Sequence, residues 1–346
     1  MGTIKVPAGL PERIRTVLQP SIESTKLVLT EAPFPVPTHP DDVLLRVHAT
    51  APCNGELLWA KNYPSIVPSD KLPVPCQDIA ASVVAAPADS GFATGDHVFC
   101  RIDAARPGGA REYTLARVRE LAHKPASLSW VDAAAVPLSS LTAWQALFVQ
   151  GTLSAAALAG DDLARKQNGE KRVLITGAGG GVGSMAVQLA ALSGAGAVVA
   201  LCGADNAARV RELGATEVID YRTTKIASWA AGDASRQVDL VLDMVGGETL
   251  AGCWAAVKDG GVLISVNSPP DQVKPANLDK ELLKSAFFVV DPLGKNLAEI
   301  ARLVEQGKLT PIVDSVWTME EFDQAFAKLE SGHAKGKIII KISPEA

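Results

Sequence analysis

The glycine-rich stretch at residues 177–183 is where residue types and spacing most directly predict chemistry. Five of its seven residues are glycines, placed between the apolar run 173–176 and a helical pattern that begins at Val182. A short apolar run rich in β-branched residues predicts a buried parallel strand. Glycines allow a sharp turn there, and the following helix presents free backbone N–H groups at its positive end. The stretch therefore predicts a pyrophosphate site.

The sextet 178–183 reads AGGGVG, so Ala178 replaces the first glycine of the strict dinucleotide fingerprint. A glycine-rich surface loop without a ligand is the alternative. The following chain favours the nucleotide site, because further strand patterns alternate with helices, which predicts a doubly wound parallel (Rossmann) sheet in an α/β domain. These strand patterns lie at 197–201, 217–219, 238–242, 261–266 and 286–290.

The end of the second strand predicts which dinucleotide binds. An acidic residue there would hold the ribose 2′-hydroxyl of NAD, but residues 202–203 are a cysteine and a glycine. Gly203 is small and neutral, so it would not repel a 2′-phosphate, although the nearby Asp205 would disfavour one. Candidates to hold the phosphate are Arg209, Tyr221 and Arg222. The predicted cofactor is NADPH.

Composition narrows the class of protein further. The chain has 346 residues, 47% hydrophobic and 21% charged, which predicts a globular protein of two domains. A net charge of -5 without a basic cluster argues against nucleic acid as a partner. We find neither an apolar run of membrane-spanning length nor the apolar core of a signal peptide. Five scattered cysteines form no disulfide framework, so we expect a cytoplasmic protein with free thiols.

The first part of the chain has a different pattern. From about residue 25 to residue 123, short strands are separated by proline- and glycine-containing turns, which predicts a compact all-β unit, partly closed like a barrel. After residue 290 come two helical patterns and a final strand at 337–341. From pattern alone, these last elements could belong to either domain.

The joint order of these motifs resembles the medium-chain dehydrogenase/reductase superfamily over nearly the whole chain. It is most similar to the zinc-independent quinone-reductase branch, which includes alkenal and enoyl reductases. The resemblance implies a GroES-like, partly open β-barrel catalytic domain at 1–145, completed by 307–346, and a Rossmann domain at 146–306. It also implies an active site in the cleft between the two. The motifs are the turn 91–99, the segment 133–148, AGGGVG, VIDYR at 218–222, DMVGG at 243–247 and GHAKGK at 332–337.

Three positions indicate whether the chain could bind a catalytic zinc ion. Zinc-dependent members hold the metal with a Cys, a His and a later Cys or acidic residue. Cys53 matches the first, Gln77 stands where the His is expected, and residues 138–139 offer no third ligand. Because a catalytic zinc needs three protein ligands, we expect no metal.

The resemblance also suggests catalytic and cofactor-binding residues. Tyr63 matches a tyrosine implicated as a proton donor, although it could merely pack over the cleft. Cys53 lies where relatives often place an Asn near the nicotinamide, and it could instead be a small packing residue. The implied cofactor contacts are Thr142 beside the nicotinamide, Gly180, Gly181, Val182 and Gly183 at the pyrophosphate, Gly203 and Tyr221 at the adenosine phosphate, and Val245, Phe288, Val289 and Lys337 near the nicotinamide ribose.

These residues indicate hydride transfer without a Lewis acid. Hydride addition to an activated C=C bond or a quinone places charge on an oxygen that hydrogen-bond donors can hold. The expected partner is a small-molecule electrophile, possibly a carrier-bound acyl chain. Two alternatives stay open, namely a zinc alcohol dehydrogenase and a non-enzymatic NADPH-binding protein. An apolar strand around Phe287 further suggests a possible homodimer.

Overall fold

A computed structural model describes residues 4, 6–68 and 70–345 of the chain. They divide into two units, one formed by residues 1–141 with 291–346 and the other by Thr142–Val290. None of the helices in the described part of the chain is both long and apolar enough to cross a membrane.

The strands and α-helices are numbered here in chain order. The strands are β1 (Arg13–Leu18), β2 (Val28–Pro33), β3 (Asp42–Ala51), β4 (Asp78–Ala85), β5 (His97–Arg101), β6 (Tyr113–Arg117), β7 (Leu121–His123), β8 (Arg172–Ile175), β9 (Ala197–Cys202), β10 (Glu217–Asp220), β11 (Val238–Asp243), β12 (Val257–Ser265), β13 (Lys284–Phe287), β14 (Val313–Thr318) and β15 (Lys337–Lys341). The helices are α1 (Trp59–Asn62), α2 (Trp130–Ala134), α3 (Pro137–Trp144), α4 (Asp162–Asn168), α5 (Gly181–Leu192), α6 (Ala207–Glu212), α7 (Ile226–Ala231), α8 (Gly247–Ala256), α9 (Gly294–Glu305) and α10 (Phe322–Glu330).

The first unit is built on a seven-stranded sheet. Its strands follow the order β14-β15-β3-β4-β5-β7, β6 also pairs with β3, and β1 and β2 form a separate antiparallel pair. In the described residues no pairing joins β14 to β7, so the sheet remains open as expected. Large apolar side chains such as Val47, Ile79 and Ile338 fill one core. The small residues Ala49 and Ala80 belong to another cluster, which lets α2 pack closely on the sheet.

The second unit is the predicted doubly wound parallel sheet. Its strand order is β10-β9-β8-β11-β12-β13, and every pair is parallel. From β8, the strands β9 and β10 are added in chain order toward one edge of the sheet. From β11, the strands β12 and β13 are added in chain order toward the other edge. Ligands of such sheets bind beyond the carboxyl ends of the strands where the order reverses. This point falls between β8 and β11.

The boundary between the two units after residue 290 differs from the predicted domain boundary. Residues 291–306 were assigned to the Rossmann domain, but in the structure they pack with the first unit. Helix α9 lies against β7, and a Cβ on Gly294 would come within 2.1 Å of the carbonyl oxygen of Leu121. The apolar face of α9, which includes Leu297 and Ile300, is buried. Helical periodicity revealed the buried face but not the sheet that covers it.

Candidate active site

The glycine turn in the second unit joins β8 to α5. Gly177 has a φ of 58°, a left-handed conformation that glycine adopts readily. Helix α5 begins at Gly181, with Gly180 as its N-terminal cap. A Cβ on Gly183 would lie 2.2 Å from the carbonyl oxygen of Gly177, so the helix and turn approach too closely for any side chain. The structure thus forms the strand–turn–helix that can receive a pyrophosphate.

Arg209 supports this turn from α6. Its Nη2 donates to the carbonyl oxygen of Gly179 at 2.7 Å and to Oδ1 of Asn206 at 2.8 Å. Arg209 was predicted as one of three candidates to hold the 2′-phosphate, and these two bonds connect its guanidinium to the glycine turn. Arg209 therefore acts as a brace for the predicted pyrophosphate site.

Gly203, Tyr221 and Arg222 come together at the ends of β9 and β10. A Cβ on Gly203 would meet the Arg222 guanidinium at 3.3 Å. That guanidinium lies 5.8 Å from the Tyr221 ring centre and 3.4 Å from Oδ2 of Asp205. Both charged side chains are about half exposed. This edge consequently offers one arginine to a phosphate and one opposing carboxylate.

Asp243 connects the strands at the point between β8 and β11 where the strand order reverses. Its fully buried carboxylate accepts from Thr176 Oγ1 at 2.7 Å and from Ser265 Oγ at 3.0 Å, which links the ends of β8, β11 and β12. It also accepts from the backbone N–H groups of Val245 and Gly246. The prediction of site residues missed Asp243, although a lone acidic residue ending an apolar strand was the available signal.

The remaining predicted cofactor residues of the second unit lie on several different elements. Thr142 is buried on α3, and Val182 lies in the first turn of α5. Val245 follows Asp243 and is about half exposed, with a side-chain carbon 3.4 Å from the Cβ position of Gly177. Phe288 and the exposed Val289 follow β13, the edge strand of the sheet. Of these residues, Val245 is therefore the one shown to lie next to the glycine turn.

A buried carboxylate in the first unit clamps two loops. Glu56 Oε1 accepts from the backbone N–H of Cys53 at 3.0 Å, and its Oε2 accepts from that of Cys76 at 2.9 Å. Burial raises the pKa of Glu56 to about 7, although both backbone hydrogen bonds act in the opposite direction. The clamp fixes the positions of the loops that carry Cys53 and Gln77.

Lys337, which was predicted to lie near the nicotinamide ribose, is on β15 in the first unit. Its side chain is buried in the first unit, where Nζ lies 2.8 Å from Oδ2 of Asp78 and 3.2 Å from the carbonyl oxygen of Pro52. The other carboxylate oxygen of Asp78 accepts from the N–H of Leu138 at 2.6 Å. Burial lowers the pKa of Lys337, but Asp78 and Cys53 outweigh it and the net shift is upward. A permanent cation therefore lies beside Cys53.

The two predicted catalytic residues have different surroundings. Cys53 is half-buried, and burial raises the pKa of its thiol to about 12, so it is protonated at neutral pH. Tyr63 directly follows α1 as its C-terminal cap and is 39% exposed. Its hydroxyl makes no hydrogen bond to any residue that the structure describes. Tyr63 is therefore available to an added ligand, whereas Cys53 is poorly suited to act as a nucleophile.

The positions that match the metal ligands of zinc-dependent members carry poor ligands in this chain. Gln77 is buried, and its Oε1 is enclosed without a hydrogen-bond partner. Ser139, at the third position, is also buried. Within residues 4, 6–68 and 70–345, no three His, Cys, Asp or Glu side chains are grouped so that they could hold a metal ion.

Two family models match the chain. The model described as an alcohol dehydrogenase GroES-like domain covers residues 39–126, and the model described as a zinc-binding dehydrogenase covers residues 213–340. Their order agrees with the open sheet of the first unit and the nucleotide-binding sheet of the second. The class defined by fold and site is that of a two-domain dehydrogenase.

Several curated relatives are similar over most of the chain. A probable zinc-binding oxidoreductase, mitochondrial, of Arthroderma benhamiae is 44% identical over 96% of this chain and 98% of its own. A chloroplast envelope quinone oxidoreductase homolog of Arabidopsis thaliana is 31% identical over 90% and 94%. The NAD(P)H oxidoreductase RTN4IP1, mitochondrial, of Danio rerio is 32% identical over 72% and 67%. The chain belongs to the medium-chain dehydrogenase/reductase superfamily.

The expectation of a cytoplasmic location is wrong. The relatives from Arthroderma benhamiae and Danio rerio are both named as mitochondrial proteins, which points away from the cytoplasm. The expectation relied on the lack of a disulfide framework and on the lack of an apolar signal core. Mitochondrial targeting segments are amphipathic and have no such core, so that criterion does not detect them.

Proposed function

We propose that this protein is an NADPH-dependent oxidoreductase that reduces an activated C=C bond or a quinone without zinc. The observation that carries the proposal is the Lys337 ammonium, which lies 2.8 Å from Asp78 and beside Cys53, the residue that the resemblance matches to the first zinc ligand of zinc-dependent members. The coarser activity, NAD(P)H-linked oxidoreduction, is supported by family membership and by the names of the relatives.

The residues at the expected metal positions do not fit a catalytic zinc. A zinc ligand must be a thiolate, a neutral imidazole or a carboxylate. Cys53 is the only one of the three positions with such a side chain, because Gln77 has an amide and Ser139 a hydroxyl. A lysine ammonium beside them adds electrostatic repulsion toward a dication. We therefore derive no step from a metal.

The adenosine end supports NADPH. Arg222 and Tyr221 flank Gly203, where the chain has no side chain to exclude a phosphate. Guanidinium groups bind phosphate through paired hydrogen bonds. Asp205 opposes a phosphate, but its contact with Arg222 is an exposed pair at 3.4 Å that a bound phosphate can replace. The balance favours NADPH over NADH.

The proposed reaction needs a hydride acceptor and a proton. A bound reduced nicotinamide would supply the hydride. In an enone, the β-carbon takes this hydride, the C=C electron pair moves toward the carbonyl oxygen as an enolate, and a proton from a side chain or water then binds the α-carbon. Tyr63, with its unpartnered hydroxyl, is the proposed proton donor. The net change is one C=C bond reduced and one NADPH oxidised.

The test is NADPH oxidation, with NADH alongside, against an enal, an enone, a quinone and a crotonyl thioester. Metal content is measured on the same sample. Turnover with NADPH preferred and no stoichiometric zinc is the expected result. Turnover of a simple alcohol that disappears on chelation would support a zinc alcohol dehydrogenase instead, and tight NADPH binding with no turnover would support a non-enzymatic role.

A further inference from the structure

Arg101 lies on the same sheet face as Asp78. In the first unit, Asp78 at the start of β4 pairs with Ala51 at the end of β3 and with Arg101 at the end of β5. Residues directly opposite each other in a sheet direct their side chains to the same face. The Arg101 side chain therefore extends beside the Asp78–Lys337 pair.

The guanidinium of Arg101 is buried without a partner. The residue is 3% exposed, and its Nε atom is enclosed with no acceptor. None of the described carboxylates lies within ion-pair distance, and none of the described groups accepts a hydrogen bond from it. Arg111, the other buried arginine described, differs because Nε and Nη2 both donate to Thr114.

The carboxylates near Arg101 already pair with other residues. Asp78 is held by Lys337 and by the Leu138 N–H, while Glu120 is paired with Arg106. Burial lowers the pKa of Arg101, and Asp103 and Cys53 counteract this only from a distance. An ionised side chain removed from water without a partner opposes folding strongly. Such a charge is retained when a ligand supplies the missing anion.

We propose that Arg101 is an oxyanion-binding residue of the active site, which holds a negatively charged substrate oxygen beside Cys53 and the Asp78–Lys337 pair. Its guanidinium carries five N–H donors in a rigid fork, and none of them is used by the described residues. Lys337 has two acceptors, Asp78 and the Pro52 carbonyl, and can direct its third N–H at the same oxygen.

The oxyanion has two chemical sources. One is the enolate oxygen formed during hydride addition, and this case rests on the proposed reductase function. The other is a carboxylate that the substrate carries throughout. Both present an anionic oxygen to the same fork. They differ in whether the charge exists before the reaction.

The first experiment compares Arg101→Met with wild type and with Arg13→Gln, a control at an exposed arginine of β1. Arg101→Met should melt at a higher temperature than wild type, because it removes an unpartnered buried charge. Its kcat/KM should fall at least about 100-fold, the loss typical of an oxyanion donor. Arg101→Lys should recover part of the activity. Opposite changes in stability and activity are not expected of a structural residue.

Kinetics with two different substrates distinguish the enolate oxygen from a substrate carboxylate as the source of the oxyanion. With a neutral enone, a loss in kcat at unchanged NADPH affinity identifies the enolate. With an enone that bears a carboxylate, a rise in KM confined to that substrate identifies the permanent anion. Either pattern supports the role of Arg101. Unchanged kinetics on both substrates would overturn it, as would a fall in melting temperature in parallel with activity.

A binding measurement separates this proposal from the reductase function. Benzoate, a carboxylate probe, should raise the melting temperature of wild type and of Arg13→Gln, but not that of Arg101→Met. This result would support the oxyanion site even if no electrophile is reduced. If benzoate stabilises all three proteins equally, or none of them, the proposed site is wrong whatever the enzyme turns over.

Discussion

The Nζ atom of Lys337 lies 2.8 Å from Oδ2 of Asp78, and this buried pair joins the last strand of the chain to one of the first. Asp78 is fully buried and Lys337 is 7% exposed. Separating two such charges leaves one of them without compensation. The pair therefore fixes β15 beside the loops that carry Cys53 and Gln77.

Asp78→Asn tests this pair. The amide can still accept from the N–H of Leu138, but it leaves the Lys337 ammonium uncompensated. We expect the free energy of unfolding to fall by about 3–5 kcal/mol, measured by urea denaturation. Adding Lys337→Met should recover much of the loss. If the double variant is no more stable than the single one, the ammonium is not what Asp78 compensates.

Gly183→Ala tests the close approach at the glycine turn. Its Cβ would lie 2.2 Å from a backbone oxygen, which cannot move aside without shifting the turn. We expect a loss of about 1–3 kcal/mol in unfolding free energy together with weaker NADPH binding. Gly180→Ala is the matched control, because its nearest atom would be 3.4 Å away. Equal melting temperatures for the two variants would contradict this geometry.

Cofactor preference should respond in opposite directions at Arg222 and Asp205. Arg222→Gln removes a charge-assisted phosphate contact, so its KM for NADPH should rise about 10-fold or more while that for NADH changes little. Asp205→Asn removes the opposing carboxylate and should lower the KM for NADPH. Steady-state kinetics with both cofactors measures this. A shift that affects NADPH and NADH equally would exclude a 2′-phosphate site here.

Glu56 should make stability depend on pH. Its pKa is about 7 in the folded protein against a reference value of 4.5, so the native state keeps a proton that the unfolded chain loses. The free energy of unfolding should therefore decrease by about 3 kcal/mol as pH rises from 4.5 to 7, and then level off.

Glu56→Gln should remove this slope, while Glu31→Gln, at an exposed acid, should leave it unchanged. The measurement is urea denaturation at several pH values between 5 and 8. A slope that persists in Glu56→Gln would assign the titration to another group.

The sequence predicted the second unit well because its signals are local. Apolar strands, glycines and helix periodicity each act over a few residues, and together they determine a parallel sheet. The tight turn at Gly183 could be predicted because the close approach of helix and turn depends on neighbours in the chain.

The site in the first unit was less predictable because its contacts join distant segments. The motif suggested Lys337 as a residue near the nicotinamide ribose, but it could not reveal the contacts of Lys337 with Asp78 and Pro52. Arg101 carried no sequence signal, since its importance lies in what surrounds it. The role of Arg209 also depended on which way its side chain turns, and the structure directs it to the Gly179 carbonyl.

The order of strands also bears on how the protein is made. Ile340 of β15 pairs with Thr50 of β3, so the sheet of the first unit needs two segments between which the whole second unit is synthesised. The second unit is one continuous stretch, Thr142–Val290. We therefore expect nascent chains that stop before residue 337 to protect the nucleotide-binding half from protease while the other half is still cut. The part synthesised first would then be the last to mature.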